Sequence, residues 1–369
     1  MPQMTLLIKP VSDACNMRCR YCFYADVAKR RGVAASGAMT PQTREALVRK
    51  ALNFAEGYCS FGFQGGEPTL AGLEFFDEFV ALEREYNHNN VQISNSIQTN
   101  GYGLGREWAE FFSRNKFLVG LSMDGTKNAH DSYRVGADGL GTFDAVVATA
   151  ELFAEYNVDF NILCVVNDEV ASRPGQVYAA LRKYKFLQFI PCIDDFDATS
   201  PPEHSLAPAK YAKFLKSTFD SYYSDFMRGE YVSIRNFDNY LGILLGNPPE
   251  QCGMSGVCTC YFLVEADGNV YPCDFYVLEK WKIGNVGENS FARMIKSETA
   301  MEFVDTSRHV HEECRPCEWR GLCRGGCRRY REPLVDGALS KNKLCAAYVE
   351  FFSYAYERMQ QMATKLRTP

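Results

Sequence analysis

Three cysteines within one short run, Cys15, Cys19 and Cys22, constrain this chain more than any other feature. Their spacing is C-x3-C-x2-C, one thiolate short of the four that a closed tetrahedral site requires. Three thiolates can hold three irons of a cubane 4Fe–4S cluster and leave the fourth iron open to a ligand. The competing reading is a structural zinc site completed by a distant fourth ligand, although the spacing departs from the paired C-x2-C knuckles of zinc ribbons. An iron with an open position can bind and activate a small molecule, which suggests a catalyst.

The other cysteines point the same way. The chain has 15 of them in 369 residues, and residues 1–8 lack the basic start of a secretory leader and read as a first strand. Metal ligation therefore explains them better than disulfides. Nine lie between Cys252 and Cys345, while Cys59, Cys164 and Cys192 are scattered.

The first half alternates β-rich runs with amphipathic helical runs. Strands are expected over 5–9, 59–63, 91–98, 117–123, 158–166 and 186–190, and helices over 40–56, 73–86, 106–114, 143–156 and 175–184. In the first helix Thr40 is the N-cap and Pro41 opens the first turn. Such strand–helix units imply a parallel α/β sheet with right-handed crossovers, open or curled into a partial barrel. The cysteine loop follows the first strand, which sets it on the catalytic rim of such folds. A break rich in Asp, Pro and Ser is expected over 194–208, followed by a long helix over 209–228. A hairpin over 261–276 turns at Asp267-Gly268, and an aromatic-rich helix over 346–365 closes the chain.

Hydrophobic content of 46% supports a sizeable core, and a net charge of −5 argues against nucleic acid as the main partner. No apolar run approaches the length of a membrane span. A cytoplasmic protein with no membrane or nucleic-acid partner is the expectation.

After the second strand comes Phe63-Gln64-Gly65-Gly66-Glu67-Pro68. Glycines there permit close backbone approach to a ligand. Together with the cysteine loop and Tyr21 just before its last cysteine, this run resembles the radical S-adenosylmethionine enzymes. The resemblance implies a partial (β/α)6 barrel. It also implies that Gly65, Gly66 and Glu67 hold the methionine amino group, with Tyr21 as part of the cofactor pocket. Leu121-Ser122-Met123-Asp124-Gly125 resembles the family's ribose- and carboxylate-contacting run, with Ser122 as ligand. Arg134 matches the residue that pairs with the methionine carboxylate, and Ile193 an aliphatic contact to adenine.

The C-terminal cysteines resemble the SPASM domain, which carries two auxiliary 4Fe–4S clusters. That resemblance implies Cys252, Cys258, Cys273 and Cys327 for the first and Cys314, Cys317, Cys323 and Cys345 for the second, three clusters in all. Eleven of the 15 cysteines are thereby used, leaving Cys59, Cys164, Cys192 and the ambiguous Cys260. The implied domains are a barrel over 1–235, a SPASM domain over 236–345 with its hairpin, and a closing helix over 346–369.

Within that group the chain resembles the anaerobic sulfatase-maturating enzymes. The runs that carry this are Leu7-Ile8-Lys9-Pro10, Phe63 to Gly72, Gln98-Thr99-Asn100-Gly101 and Tyr271-Pro272-Cys273-Asp274-Phe275-Tyr276. The resemblance implies oxidation of a cysteine or serine of a sulfatase to Cα-formylglycine. A 5′-deoxyadenosyl radical takes hydrogen from Cβ, and the second electron leaves through the auxiliary clusters to an external carrier such as a flavodoxin or ferredoxin. Asp274 is the candidate base, and Tyr24, Gln64, Gln98, Asn100 and Arg235 are candidates for the peptide groove. Two alternatives stay open: a sibling SPASM enzyme that cross-links or otherwise modifies a ribosomal peptide, and a zinc-stabilised binding protein.

Overall fold

The computed structural model describes residues 4–31, 37–196, 198 and 200–367. Residues 1–3 of the N-terminal run, 197 and 199 of the expected break, and 368–369 of the last expected domain lie outside the described residues. In chain order the strands are β1 (Met4–Ile8), β2 (Tyr58–Phe63), β3 (Gln92–Thr99), β4 (Leu118–Ser122), β5 (Phe160–Val166), β6 (Phe186–Pro191), β7 (Ser233–Ile234), β8 (Leu263–Val264), β9 (Asn269–Tyr271), β10 (Gly284–Asn285), β11 (Leu334–Val335) and β12 (Ala338–Leu339). The chain packs as two compact units. The first takes residues 1–122, 134–160 and 259–303, and the second takes 123–133, 161–258 and 304–369.

In the first unit β1 to β4 run parallel, with Ile8 beside Phe63, Phe63 beside Ile97, and Ile97 beside Val119. These strands are two-faced because their side chains alternate with period two. Cys59, Phe61, Phe63, Ile97, Val119 and Leu121 are buried. Phe63 meets Phe75, Phe76 and Phe79 of helix Leu73–Tyr86 at ring separations of 6.4, 5.0 and 4.9 Å. Each such ring contributes roughly 1.5–3 kcal/mol through burial. The alternate positions carry Ser60, Gly62, Ser94, Ser96, Gln98 and Gly120, which are small or polar. One face of the sheet is thus committed to the helices and the other is suited to a ligand.

β8 adds to β1 in parallel, with Leu7 beside Leu263, and then turns back through β9 and β10. The hairpin pairing is shorter than the 261–276 expected, because Tyr261 and residues 273–276 leave the ladder to build the site below. The 175–184 helix also differs. It runs Pro174–Leu181 and tightens into a 3-10 turn at Arg182–Tyr184, ending at Lys185 with φ of 67°. The 73–86 and 106–114 helices stand as expected.

In the second unit β5, β6 and β7 are parallel, with Ile162 beside Leu187 and Leu187 beside Ile234. Helix Pro208–Met227 packs against the closing helix Cys345–Arg367. Their aromatic seam includes Phe219 with Phe351 at 5.7 Å and Tyr211 with Tyr348 at 5.9 Å. Among the described residues no helix is long and apolar enough to cross a membrane.

Candidate active site

The ends of β1, β2 and β3 converge through backbone hydrogen bonds. Gly66 N–H donates to the Ser12 carbonyl at 3.0 Å, and Glu67 N–H donates to the Ala14 carbonyl at 2.7 Å. The glycine turn is thereby fastened to the segment that enters the cysteine loop. A Cβ on Gly66 would lie 2.0 Å from the Ala14 carbonyl oxygen, so no larger residue fits. Gly65 adopts φ of 138°, and a Cβ there would lie 2.9 Å from the Ser12 carbonyl oxygen.

Glu67 is buried and both its oxygens accept hydrogen bonds. Oε1 accepts from Thr69 N–H, Thr69 Oγ1 and Thr99 Oγ1 at 3.2, 2.7 and 2.8 Å, and Oε2 accepts from Asn100 N–H at 2.8 Å. Burial raises its pKa, and the donors oppose that. Its carboxylate binds the end of β3 to the glycine turn.

Asn100 is similarly engaged. Its Nδ2 donates to Asn16 Oδ1 at 2.8 Å and to Cys15 Sγ at 3.7 Å, and its Oδ1 accepts from Tyr102 N–H at 2.8 Å. The loop is also tied at Arg18, whose N–H donates to the Val135 carbonyl at 2.8 Å. Burial raises the Cys15 pKa, against the hydrogen bonds from Met17 and Asn100. Three half-buried thiols and no carboxylate on the loop suit iron bound by sulfur. Arg134 lies 5.4 Å from the Tyr21 ring, and Ser122 ends β4, half-buried. Gln98 is exposed on the small, polar face of β3.

Cys22 caps a helix, Phe23–Lys29, that carries the loop directly to Asp274. Phe23 meets Phe275 edge-on at 4.7 Å. Asp274 is buried, and its Oδ2 accepts from Gln64 Nε2 at 3.1 Å and Tyr24 Oη at 3.5 Å. Gln64 Nε2 also hydrogen-bonds Tyr24 Oη. Tyr261 Oη donates to Asp274 Oδ1 and lies 3.1 Å from Cys273 Sγ. Burial raises the Asp274 pKa against these donors. Burial also lifts the Tyr24 and Tyr261 phenols well above their ordinary range, with the Asp274 charge adding to it, so both stay protonated donors. The arrangement is a desolvated carboxylate, held from both oxygens, beside a cysteine sulfur.

Tyr261 is absent from the sequence-derived site, yet the hairpin could have disclosed it. Extending the register of Leu263 beside Tyr271 by two residues sets Tyr261 opposite Cys273. Lys9, Arg31 and Glu265 were also missed. Lys9 Nζ donates to Glu265 Oε1 at 2.6 Å, and Arg31 Nη2 pairs with the same oxygen. Burial alone would raise the Glu265 pKa, but the two cations outweigh it and hold the carboxyl below its usual range. The trio braces β1 to β8, with Lys9 Nζ 5.2 Å from the Tyr24 ring centroid.

In the second unit Cys314, Cys317, Cys323 and Cys345 line one small pocket with Trp319, Tyr348 and Phe352. An all-thiol donor set in an aromatic wall fits an iron–sulfur cluster. Burial pushes the Cys323 thiol up to about 11, with Cys345, Cys314 and Cys317 adding to it. Gly253, beside Cys252, approaches Cys327, where a Cβ would lie 3.6 Å from the cysteine Cβ. Cys258 N–H donates to Ser307 Oγ at 2.8 Å. Cys273 belongs to the first unit. Cys260 is half-buried, its thiol raised to about 12 by burial alone. Ile193 and Arg235 lie in the second unit. Ile193 is buried, and Arg235 donates to Gln188 Oε1 at 2.9 Å and Glu250 Oε1 at 2.6 Å.

Comparisons with known proteins identify the family. Residues 10–176 match the model of the radical SAM superfamily, and residues 252–318 match that of an iron–sulfur cluster-binding domain, SPASM. The chain is 48% identical over its whole length to a cysteine-type anaerobic sulfatase-maturating enzyme of Clostridium perfringens, all of which is covered. It is 28% identical to a serine-type anaerobic sulfatase-maturating enzyme of Bacteroides thetaiotaomicron over 98% of this chain and 91% of that one. A solved structure of native anSMEcpe with bound AdoMet and Cp18Cys peptide superposes with a TM-score of 0.94 at 48% identity, covering 99% of this chain and 100% of that one. The mixed α/β class and the cysteine-rich domain expected from the sequence are therefore those of the fold. The chain belongs to the anaerobic sulfatase-maturating enzymes, radical SAM oxidoreductases that carry a SPASM domain.

Proposed function

We propose that this enzyme oxidises the side chain of a cysteine in a sulfatase polypeptide to Cα-formylglycine, with Asp274 as the base. The observation that carries the reading is the cluster of Tyr24, Gln64, Tyr261 and Asp274 against Cys273. Cysteine is preferred to serine because the 48% relative is named cysteine-type and the serine-type one stands at 28%.

When bound, S-adenosylmethionine on the open-iron cluster supplies the hydrogen-abstracting radical, and the auxiliary clusters supply an exit for one electron. Cys15, Cys19 and Cys22 would hold the first of three 4Fe–4S clusters. Cys252, Cys258, Cys273 and Cys327 would hold the second, and Cys314, Cys317, Cys323 and Cys345 the third. The carbonyls of Gly65 and Gly66 would receive the methionine ammonium on the turn that Glu67 fixes. Ser122, Arg134, Tyr21 and Ile193 complete that pocket in this reading. Gln98 faces the groove from β3, Arg235 contributes to peptide binding, and Asn100 acts through the cysteine loop it hydrogen-bonds.

The chain's own work is on the proton. After Cβ has given up one hydrogen atom, the thiol must lose its proton and one electron to leave a thioaldehyde. Water then exchanges sulfur for oxygen and releases hydrogen sulfide. Asp274 is suited to take that proton, since burial raises its pKa toward the working range of a general base. Tyr24 and Gln64 hold Oδ2 and Tyr261 holds Oδ1, so the carboxylate stays oriented. Cys273, which would hold the auxiliary cluster nearest the base, lies with its sulfur 3.4 Å from Asp274 Oδ1.

The domain division at residues 235 and 345, a flavodoxin- or ferredoxin-type electron carrier and a cytoplasmic setting belong to the same proposal. The test is anaerobic incubation with S-adenosylmethionine, reductant and peptides containing Cys-x-Pro-x-Arg or Ser-x-Pro-x-Arg. The cysteine peptide should acquire an aldehyde faster than its serine counterpart. An unmodified cysteine peptide alongside abundant 5′-deoxyadenosine would overturn the substrate assignment.

A further inference from the structure

Arg331 is the most unusual charge in the second unit. It is 4% exposed, although an arginine is almost never buried without an acidic partner. Among the described residues no carboxylate pairs with it, and its donors go to main-chain oxygens. Nε donates to the Ser340 carbonyl at 3.4 Å, Nη1 to the Ser307 carbonyl at 3.4 Å, and Nη2 to the His309 carbonyl. Neutral carbonyls orient a guanidinium without cancelling its charge, and arginine cannot shed the proton.

Its surroundings hold cysteine sulfurs, which would become anionic where they bind a cluster. The guanidinium rests on Gly325, where a Cβ would lie 3.7 Å from Nη1. Gly325 stands between Cys323 and Cys327 and lines the four-cysteine cavity. On the other side, Ser307 accepts from Arg331 through its carbonyl, while its hydroxyl receives Cys258 N–H at 2.8 Å. Burial works to lower the Arg331 pKa, and the groups that oppose this are Cys314, Cys258, Cys323 and Cys327, two from each expected auxiliary set.

We propose that Arg331 is a shared counter-cation for the two C-terminal cysteine sets and raises the reduction potential of the iron–sulfur clusters they hold. The inference rests on the reading of those cysteines as cluster ligands. Each cluster gains negative charge when it takes an electron, so a fixed cation nearby favours the reduced form. Arg331 thus helps the auxiliary clusters accept the electron that leaves the substrate. It acts through the clusters and touches no reacting atom, so it is a positioning and tuning residue.

The test uses the full chain, purified anaerobically, with Cys15, Cys19 and Cys22 replaced by alanine so that the remaining iron belongs to the other cysteines. Iron content comes first, and failure to retain cubane iron would overturn the ligand reading itself. If the iron is present, a potentiometric titration followed by low-temperature EPR compares Arg331→Gln and Arg331→Lys. Arg331→Gln should disfavour reduction of at least one cluster about tenfold, a shift of about 59 mV to more negative potential for one electron. Arg331→Lys, which keeps the charge, should restore most of that. Loss of iron in Arg331→Gln but not Arg331→Lys would equally support a counter-cation. Full iron with an unchanged potential in Arg331→Gln would overturn the proposal. So would matching shifts or matching iron loss in both variants, since either would assign Arg331 a role in shape alone.

Discussion

Replacing Gly66 by alanine probes how the cysteine loop and the glycine turn are joined. The added Cβ would lie 2.0 Å from the Ala14 carbonyl oxygen, 2.6 Å from its carbon and 2.7 Å from the Asp13 carbonyl carbon. All three are main-chain atoms that cannot rotate aside, so the turn and the loop must separate by about 1 Å to reach even the tightest ordinary contact. That movement disrupts Gly66 N–H to Ser12 and Glu67 N–H to Ala14, at 3.0 and 2.7 Å. Two hydrogen bonds at about 1 kcal/mol each, with the strain of the displaced segment, give a loss of about 2–4 kcal/mol. The displacement begins one residue before Cys15, so iron retention on that loop and binding of S-adenosylmethionine should fall with it. Gly72→Ala is the control. Its φ is 81° with ψ of 157°, a glycine conformation, and a Cβ there meets nothing within 4 Å, so it carries only backbone strain of about 1–3 kcal/mol. The assays are urea unfolding, iron per chain and calorimetric titration with S-adenosylmethionine. Gly66→Ala with wild-type affinity and wild-type iron would refute the reasoning, whatever its unfolding midpoint.

Three further expectations follow from buried groups. Asp274→Asn should keep its iron and still release 5′-deoxyadenosine, while formylglycine yield falls about 100-fold or more; wild-type yield would remove Asp274 as base. In the wild type that yield should fall as pH drops through the raised Asp274 pKa, because the base must be ionised. Glu83 is 4% exposed, and burial lifts its pKa from 4.5 to about 7. A carboxyl whose folded pKa is raised favours folding below pH 4.5 and loses that contribution as pH rises to 7, about 3 kcal/mol in all. Glu83→Gln should therefore flatten the urea midpoint between those limits, and an unchanged slope would contradict it. Cys323→Ser should lose iron while Cys59→Ser should not, since Cys323 lines the four-cysteine cavity and Cys59 is a buried residue of β2; equal iron in the two variants would contradict this assignment.

The parts of this account that were legible in the sequence are those carried by local spacing. The cysteine loop, the Gly65-Gly66 turn, and the alternation of Phe61 and Phe63 with Ser60 and Gly62 each declare themselves within a few residues. Gln64, Tyr24 and Asp274 could be named but not joined, because 210 residues separate Gln64 from Asp274. Only the pairing of β8 with β1 and the packing of Phe23 on Phe275 bring them together. The brace of Lys9, Arg31 and Glu265 was hidden for the same reason, since parallel pairing of distant strands leaves no local signature. Arg331 was hidden differently. Its run of basic residues looks like an ordinary solvated face, and only burial reveals the guanidinium turned inward onto main-chain carbonyls.

The measurement that most directly tests the central claim follows one atom. A peptide whose target cysteine carries two deuteriums at Cβ, incubated anaerobically with the enzyme, S-adenosylmethionine and reductant, should yield 5′-deoxyadenosine bearing one deuterium for each aldehyde formed. Aldehyde formed without deuterium in 5′-deoxyadenosine would contradict the account.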